Sequence, residues 1–225
     1  GNFNVFPANT TMATVFTDFY DAINVTNSFI ATLPTVEDPS LTEATVNDFL
    51  GQARFARALC YYYLTQGWSD VPLVLEPTSS DALGDELNVN TSPRSAIIEQ
   101  IIADLQFAQA NVANTDRERA TAEAATALLA RVYLTAGNYQ EAYNSALAVL
   151  GEGFDLTSFN YLDDQIFYLG YTSVDGNSLN FFYGPAEFGG RHSIEPSQKL
   201  IAAFEPNDAR FALSIDTSSA PVPFS

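Results

Sequence analysis

The chain is poor in the side chains that do covalent and metal chemistry: it has one cysteine, one histidine, one methionine and one tryptophan in 225 residues. A single cysteine excludes an internal disulfide and any paired-cysteine metal site. Cys60 lies in the apolar helical run RFARALCYYYL, where a thiol is a packing group rather than a nucleophile. His192 follows Arg191 in a glycine-bearing stretch and reads as a solvent-facing imidazole. GxSxG, P-loop and HExxH patterns are all missing, and the carboxylates are so numerous that a chance pair carries no catalytic meaning. No enzyme activity, cofactor or metal is therefore expected. Asp81, Asp85, Glu86, Asn88 and Asn90 lack the spacing of a calcium loop and read as a solvated segment.

Positive charge is also scarce. Nine basic residues, Lys199 the single lysine among them, face 27 acidic ones, for a net charge of −18. Such a surface repels phosphate backbones and anionic lipid, which excludes nucleic acid as a partner and leaves neutral or cationic ligands. Scarce lysine with aspartate exceeding glutamate also matches the composition of salt-adapted proteins, which needs no acidic function. No apolar run approaches the roughly 18 residues of a spanning helix, and GNFNVFPANTT lacks the basic and apolar regions of a signal peptide.

What the chain does have is 47% hydrophobic content arranged in helical periods. Residues 119–151 dominate. Ala120, Ala124, Ala127, Leu128 and Arg131 recur at three- and four-residue intervals, Gly137 and Asn138 break the pattern, and Ala142, Ala146 and Leu147 resume it. Ala130, Tyr133, Gly137, Tyr139 and Ala142 fall at the spacing of a tetratricopeptide repeat, with Thr126 and Ala146 as departures. One such hairpin cannot bury its own face, so further helices are required. They are expected at 14–33, 46–66 and 93–113, joining 119–136 and 139–150 in antiparallel pairs. Ser92 is the expected N-cap of the third, with Pro93 in its first turn. Asn24 and Asn27, inside the first helix, are expected to cap a neighbouring turn or hydrogen-bond a loop rather than to bind a ligand. Arg54 and Arg57, and Arg131 further on, are expected to be held by carboxylates or helix-end carbonyls. Beyond Gly151 the sequence turns aromatic and glycine-bearing, with IFYLGY and LNFFY as candidate short strands. The fold class is thus mostly α: a tetratricopeptide-like stack over 14–150 and an irregular, loop-rich region with short strands over 151–225.

In that order of elements the chain resembles the SusD/RagB family of outer-membrane glycan-binding lipoproteins. Tyr20, Ile23 and Asn27 look like its Y-x-x-I-x-x-x-N helix, and residues 52–58, QARFARA, are similar to its E-A-x-F-L-R-A signature. Gly67 followed by Val71-Pro72-Leu73 matches the segment after it. Arg94 with Ile101, Asp104, Leu105 and Ala108 resembles the next helix, and the run through Arg131 to Gly137-Asn138-Tyr139 matches the repeat. Gln165-Ile166-Phe167 is similar to an E-I-F strand, and Pro196 to Leu200 with Asp208 and Arg210 to a P-S-x-x-L…D-x-R segment. Gln52 and Gln165 replace family glutamates. The resemblance implies residues 1–225 as part of one such domain, without the lipidated cysteine or the C-terminal helical part. It further implies a surface lipoprotein of the outer membrane that serves a TonB-dependent, SusC-like transporter.

Two functions follow, a sugar binder and a helical scaffold for protein partners. Sugars lay C–H faces on aromatic rings while amides and arginines take the hydroxyls. The candidate ligand residues are Tyr168, Tyr171, Asn177, Asn180, Phe182, Tyr183, Phe188 and Arg191, with Phe3, Asn4 and Phe6 from the lead-in. Packing of alternate residues of LNFFY against the helices would account for about half of the rings. The scaffold reading rests on the repeat itself, since such stacks commonly bind peptides.

Overall fold

The computed structural model describes residues 10–78, 89–151, 165–170, 197–206, 208 and 211. Its helices are α1 (Thr10–Thr32), α2 (Glu43–Gly67), α3 (Arg94–Asn111), α4 (Ala122–Ala136), α5 (Tyr139–Gly151) and the short α6 (Gln198–Ile201). The chain forms two compact units, Gly1–Leu169 and Gly170–Ser225.

In the first unit each helix packs on the next in sequence. Their contacts run in opposite directions along the two partners, as an antiparallel stack requires. Phe16 meets Trp68, Phe19 meets Tyr63 and Tyr20 meets Tyr61, so α1 descends as α2 climbs. Asp48, early in α2, accepts from Ala113 N just past α3, at 2.8 Å. The core is Tyr61, Leu64, Ile97, Ile101, Leu105, Leu129 and Val132, all fully buried. Gly51 lets α2 and α3 approach: a Cβ there would lie 2.7 Å from Val112 Cγ2 and 3.4 Å from Ala108 Cα.

Local chemistry sets the ends. Thr42 accepts from Thr45 N and starts α2 at Glu43, ahead of the expected Val46, with an acidic residue in the positive first turn. Thr121 caps α4 through Ala124 N at 3.0 Å. Gly137 ends α4 at φ +81°, which lets Asn138 N reach Tyr133 O at 2.9 Å before α5 begins. Pro34 stops α1 in a 3₁₀ turn, Leu33–Thr35.

Several expectations need correction. The N-cap of α3 is Pro93, not Ser92, which stands one residue earlier and donates its backbone N–H to Val71 O at 2.9 Å in an isolated antiparallel bridge. Asp70 supplies the missing acceptor from the far side of the connection, taking Arg94 N at 2.9 Å. The buried stripe of α4 is Ala124, Ala125, Leu128, Leu129 and Val132. Arg131 falls off its edge and is exposed, its guanidinium 5.5 Å above the Tyr62 ring rather than on a carboxylate. Arg54 likewise lies 4.0 Å over Phe107. On α5 the inward residues are Ala142 and Val149, whereas Ala146 and Leu147 are exposed. Residues 165–170 adopt no regular strand. The other candidate strand, 179–183, lies outside the described residues.

In the second unit Ser197 caps α6 through Leu200 N, and Phe204 meets Phe211 edge to face at 5.3 Å.

Candidate functional site

Residues 71–78 follow α2 as an extended segment bracketed by Pro72 and Pro77. Apart from the single bridge at Val71 no strand lies beside them among the described residues, so their backbone groups must find partners elsewhere. Helices α1 and α2 supply these from side chains. The Tyr20 hydroxyl donates to Pro72 O at 2.6 Å, and the Tyr61 hydroxyl both donates to Val74 O at 2.8 Å and accepts from Val74 N at 2.7 Å. Asn27 Nδ2 donates to Val74 O at 3.0 Å and Glu76 O at 3.2 Å. Asn24 accepts from Thr78 N at 2.7 Å and donates to Thr78 O at 3.3 Å. Both asparagines thus do what a helix-interior asparagine facing a loop is expected to do.

Beneath this clamp is a buried ion pair. Arg57 donates through Nε and Nη2 to the two carboxylate oxygens of Asp104, each at 2.8 Å, and through Nη1 to Asn27 Oδ1 at 2.8 Å. The side chains of Arg57 and Asp104 are 6% and 1% exposed. The guanidinium therefore links α2, α3, α1 and, through Asn27, the extended segment. Burial pushes the Tyr61 phenol up to about 12 and raises that of Tyr20 as well. Both remain neutral donors over the physiological range.

Of the sequence-derived ligand candidates, Tyr168 is described. Its backbone N–H donates to Arg117 O at 3.1 Å and its hydroxyl to Glu118 Oε1 at 3.1 Å, a bond that raises its phenol pKa. The neighbouring Phe167 packs edge to face on Phe55 at 5.2 Å, so core packing fixes the residue beside Tyr168. Tyr171, Asn177, Asn180, Phe182, Tyr183, Phe188, Arg191, Phe3, Asn4 and Phe6 lie outside the described residues. Tyr20 and Tyr61 were not singled out by sequence as polar anchors; the available signal was the unusual run of Tyr61, Tyr62 and Tyr63 just before a Pro-bracketed segment.

The architecture is that of a tetratricopeptide-like helical stack carrying an extended segment on side-chain hydrogen bonds. A family model for SusD-like proteins, described as starch-binding and associating with the outer membrane, matches residues 3–134. The chain belongs to the SusD-like family. SusD-like protein P2 of Formosa agariphila is 30% identical over 97% of this chain and 48% of its own length. A solved laminarin-binding SusD-like protein is 29% identical, with a TM-score of 0.55 over 66% of this chain and 31% of that one. A SusD-like carbohydrate-binding protein from Bacteroides fragilis, 21% identical, shares the fold at a TM-score of 0.77 over 92% of this chain and 44% of that one. The chain spans about half, or less, of the length of these relatives. Among the described residues no helix is long and apolar enough to cross a membrane.

Proposed function

We propose that this protein binds a neutral oligosaccharide without cleaving it, at the surface of the outer membrane, and passes it to a TonB-dependent, SusC-like transporter. The observation that carries this reading is the family match over residues 3–134, together with the laminarin-binding relative. The anchoring of Tyr168 supports it: a tyrosine tied to the 117–118 turn stands just before a stretch of sequence that carries aromatic and amide side chains together. Residues 151–225 act as the ligand region on this reading, with Tyr168, Tyr171, Asn177, Asn180, Phe182, Tyr183, Phe188 and Arg191 as contacts and Phe3, Asn4 and Phe6 in support. A net charge of −18 disfavours uronic and sulfated glycans.

The test is calorimetry against laminari- and xylogluco-oligosaccharides, with wild type and a Tyr171→Ala/Tyr183→Ala variant. A well-stacked ring contributes on the order of 1 kcal/mol, so the double change is expected to weaken binding about tenfold or more. Equal affinities would move the site elsewhere, and steady release of reducing sugar would make the protein an enzyme. A second reading, a scaffold for a protein partner, is favoured by the outer face of α5, where Tyr139, Tyr143 and Leu147 are 69%, 60% and 47% exposed. Co-purification of a transporter that is lost on Tyr143→Glu would join the two readings.

A further inference from the structure

A row of side chains crosses the helical stack. Phe19 of α1 lies nearly parallel to Tyr63 of α2, with planes 15° and centroids 6.1 Å apart. Tyr63 meets Tyr62 edge to face at 5.7 Å, and the Arg131 guanidinium of α4 lies 5.5 Å above the Tyr62 ring. Core packing takes part of the row, since Tyr62 belongs to the buried core and Phe19 packs partly against it, but leaves its other groups open. Tyr63 is 44% exposed, Arg131 is exposed and Phe19 is half-buried, while Tyr62, 5% exposed, pins the middle. A lone exposed tyrosine on a helix needs no explanation. Here consecutive contacts join three helices and present flat ring surface on rigid elements, with a planar five-donor group at one end.

Charge selects the occupant. The net charge of −18 disfavours an anionic ligand, and Arg131, at the end of the row, disfavours a cationic one. A neutral ligand with apolar faces and hydroxyl edges fits both ends. We propose that Phe19, Tyr63, Tyr62 and Arg131 form a second surface for a neutral oligosaccharide, with sugar C–H faces on Phe19 and Tyr63 and ring hydroxyls donating to the Tyr63 oxygen or accepting from Arg131. It rests on the glycan-binding reading above and uses different residues.

The experiment is calorimetry with laminari- and xylogluco-oligosaccharides of increasing length on wild type, Tyr63→Ala and Arg131→Gln, with saturation-transfer NMR on the same samples. Each change is expected to weaken binding of the longer oligosaccharides about three- to tenfold. Should Tyr63→Ala lose its circular dichroism, the exposed Arg131→Gln decides. Wild-type affinity in both folded variants overturns this inference and leaves the proposed function intact. Tyr63 ring signals that shift with protein concentration rather than with sugar would make the row a self-association surface and also overturn it. Failure of the wild type to bind any of these glycans overturns both.

Discussion

Replacing Arg57 by methionine tests the buried ion pair with Asp104. The change keeps an unbranched apolar stem but removes both hydrogen bonds to Asp104, leaving that 1%-exposed carboxylate with Gln100 Nε2 at 3.1 Å, and it strips Asn27 Oδ1 of its donor. Uncompensated removal of one member of a buried pair costs about 3–5 kcal/mol. For a chain of this size each kcal/mol moves the melting temperature by about 2–4 °C, so a fall of roughly 6–20 °C is expected. Arg131→Met provides the contrast, because an exposed cation over a ring is worth about 0.5–1 kcal/mol and its loss should shift melting by only a few degrees. In the double variant Arg57→Met/Asp104→Leu the orphaned charge is gone, and much of the loss should return. Melting followed by circular dichroism at neutral pH, with the single and double variants as a cycle, reads all three. An Arg57→Met protein that melts with the wild type, or a double variant as unstable as the sum of its singles, would refute the argument that an unpaired buried charge sets the cost.

Tyr61 makes stability depend on alkaline pH. An unfolded tyrosine ionises near 10 whereas Tyr61 holds its proton to about 12, so stability is full below pH 10 and falls between 10 and 12, by about 1.4 kcal/mol per pH unit from this group. Tyr61→Phe should be less stable at pH 7 by about 1–3 kcal/mol for its lost bonds to Val74, yet lose less on moving to pH 11; parallel urea-denaturation curves across pH would contradict this. Gly51→Ala gains roughly 0.8–1 kcal/mol of helix propensity. It should nevertheless destabilise the protein, because its methyl would meet a stiff, buried Val112 Cγ2 at 2.7 Å, and a raised melting temperature would show that α2 and α3 can part without cost. Cys60, half-buried and pushed up to about 11, should resist maleimide at pH 8 until denaturant is added; immediate labelling would show the thiol to be accessible.

Most of the helical stack was readable because its signals are local. Periodicity, Pro34 and the pair Gly137-Asn138 act within a few residues of the ends they set. The first turn of α2 was missed because Thr42 caps it ahead of the apolar pattern, among polar residues that read as linker. Arg131 was misjudged by a rotation. A stripe drawn through Ala120, Ala124 and Leu128 includes it, but the face that packs is centred on Ala125, Leu129 and Val132, one residue round. The same kind of error put Ala146 and Leu147 inward in place of Val149. Partners that arrive from across the chain left no trace in spacing: Asp70 capping α3, Asp104 beneath Arg57, and the Tyr61 hydroxyl on Val74 bring together residues far apart in sequence. Of the candidate ligand residues, Tyr168 alone can be read against a partner, because its hydroxyl finds Glu118 in a turn that sequence pattern does not connect to it.

The clamp on residues 71–78 addresses main-chain atoms at every contact: carbonyls of Pro72, Val74, Glu76 and Thr78, and the amides of Val74 and Thr78. Val71 is buried in the core and Leu73 packs against it, but the rest of the segment's path is set by contacts to its main chain. Its two exits are also fixed, one where Asn24 holds Thr78 and the other where Ser92 bonds Val71. The chain therefore leaves the helical frame at Thr78 and rejoins it at Ser92, with both points held by that frame.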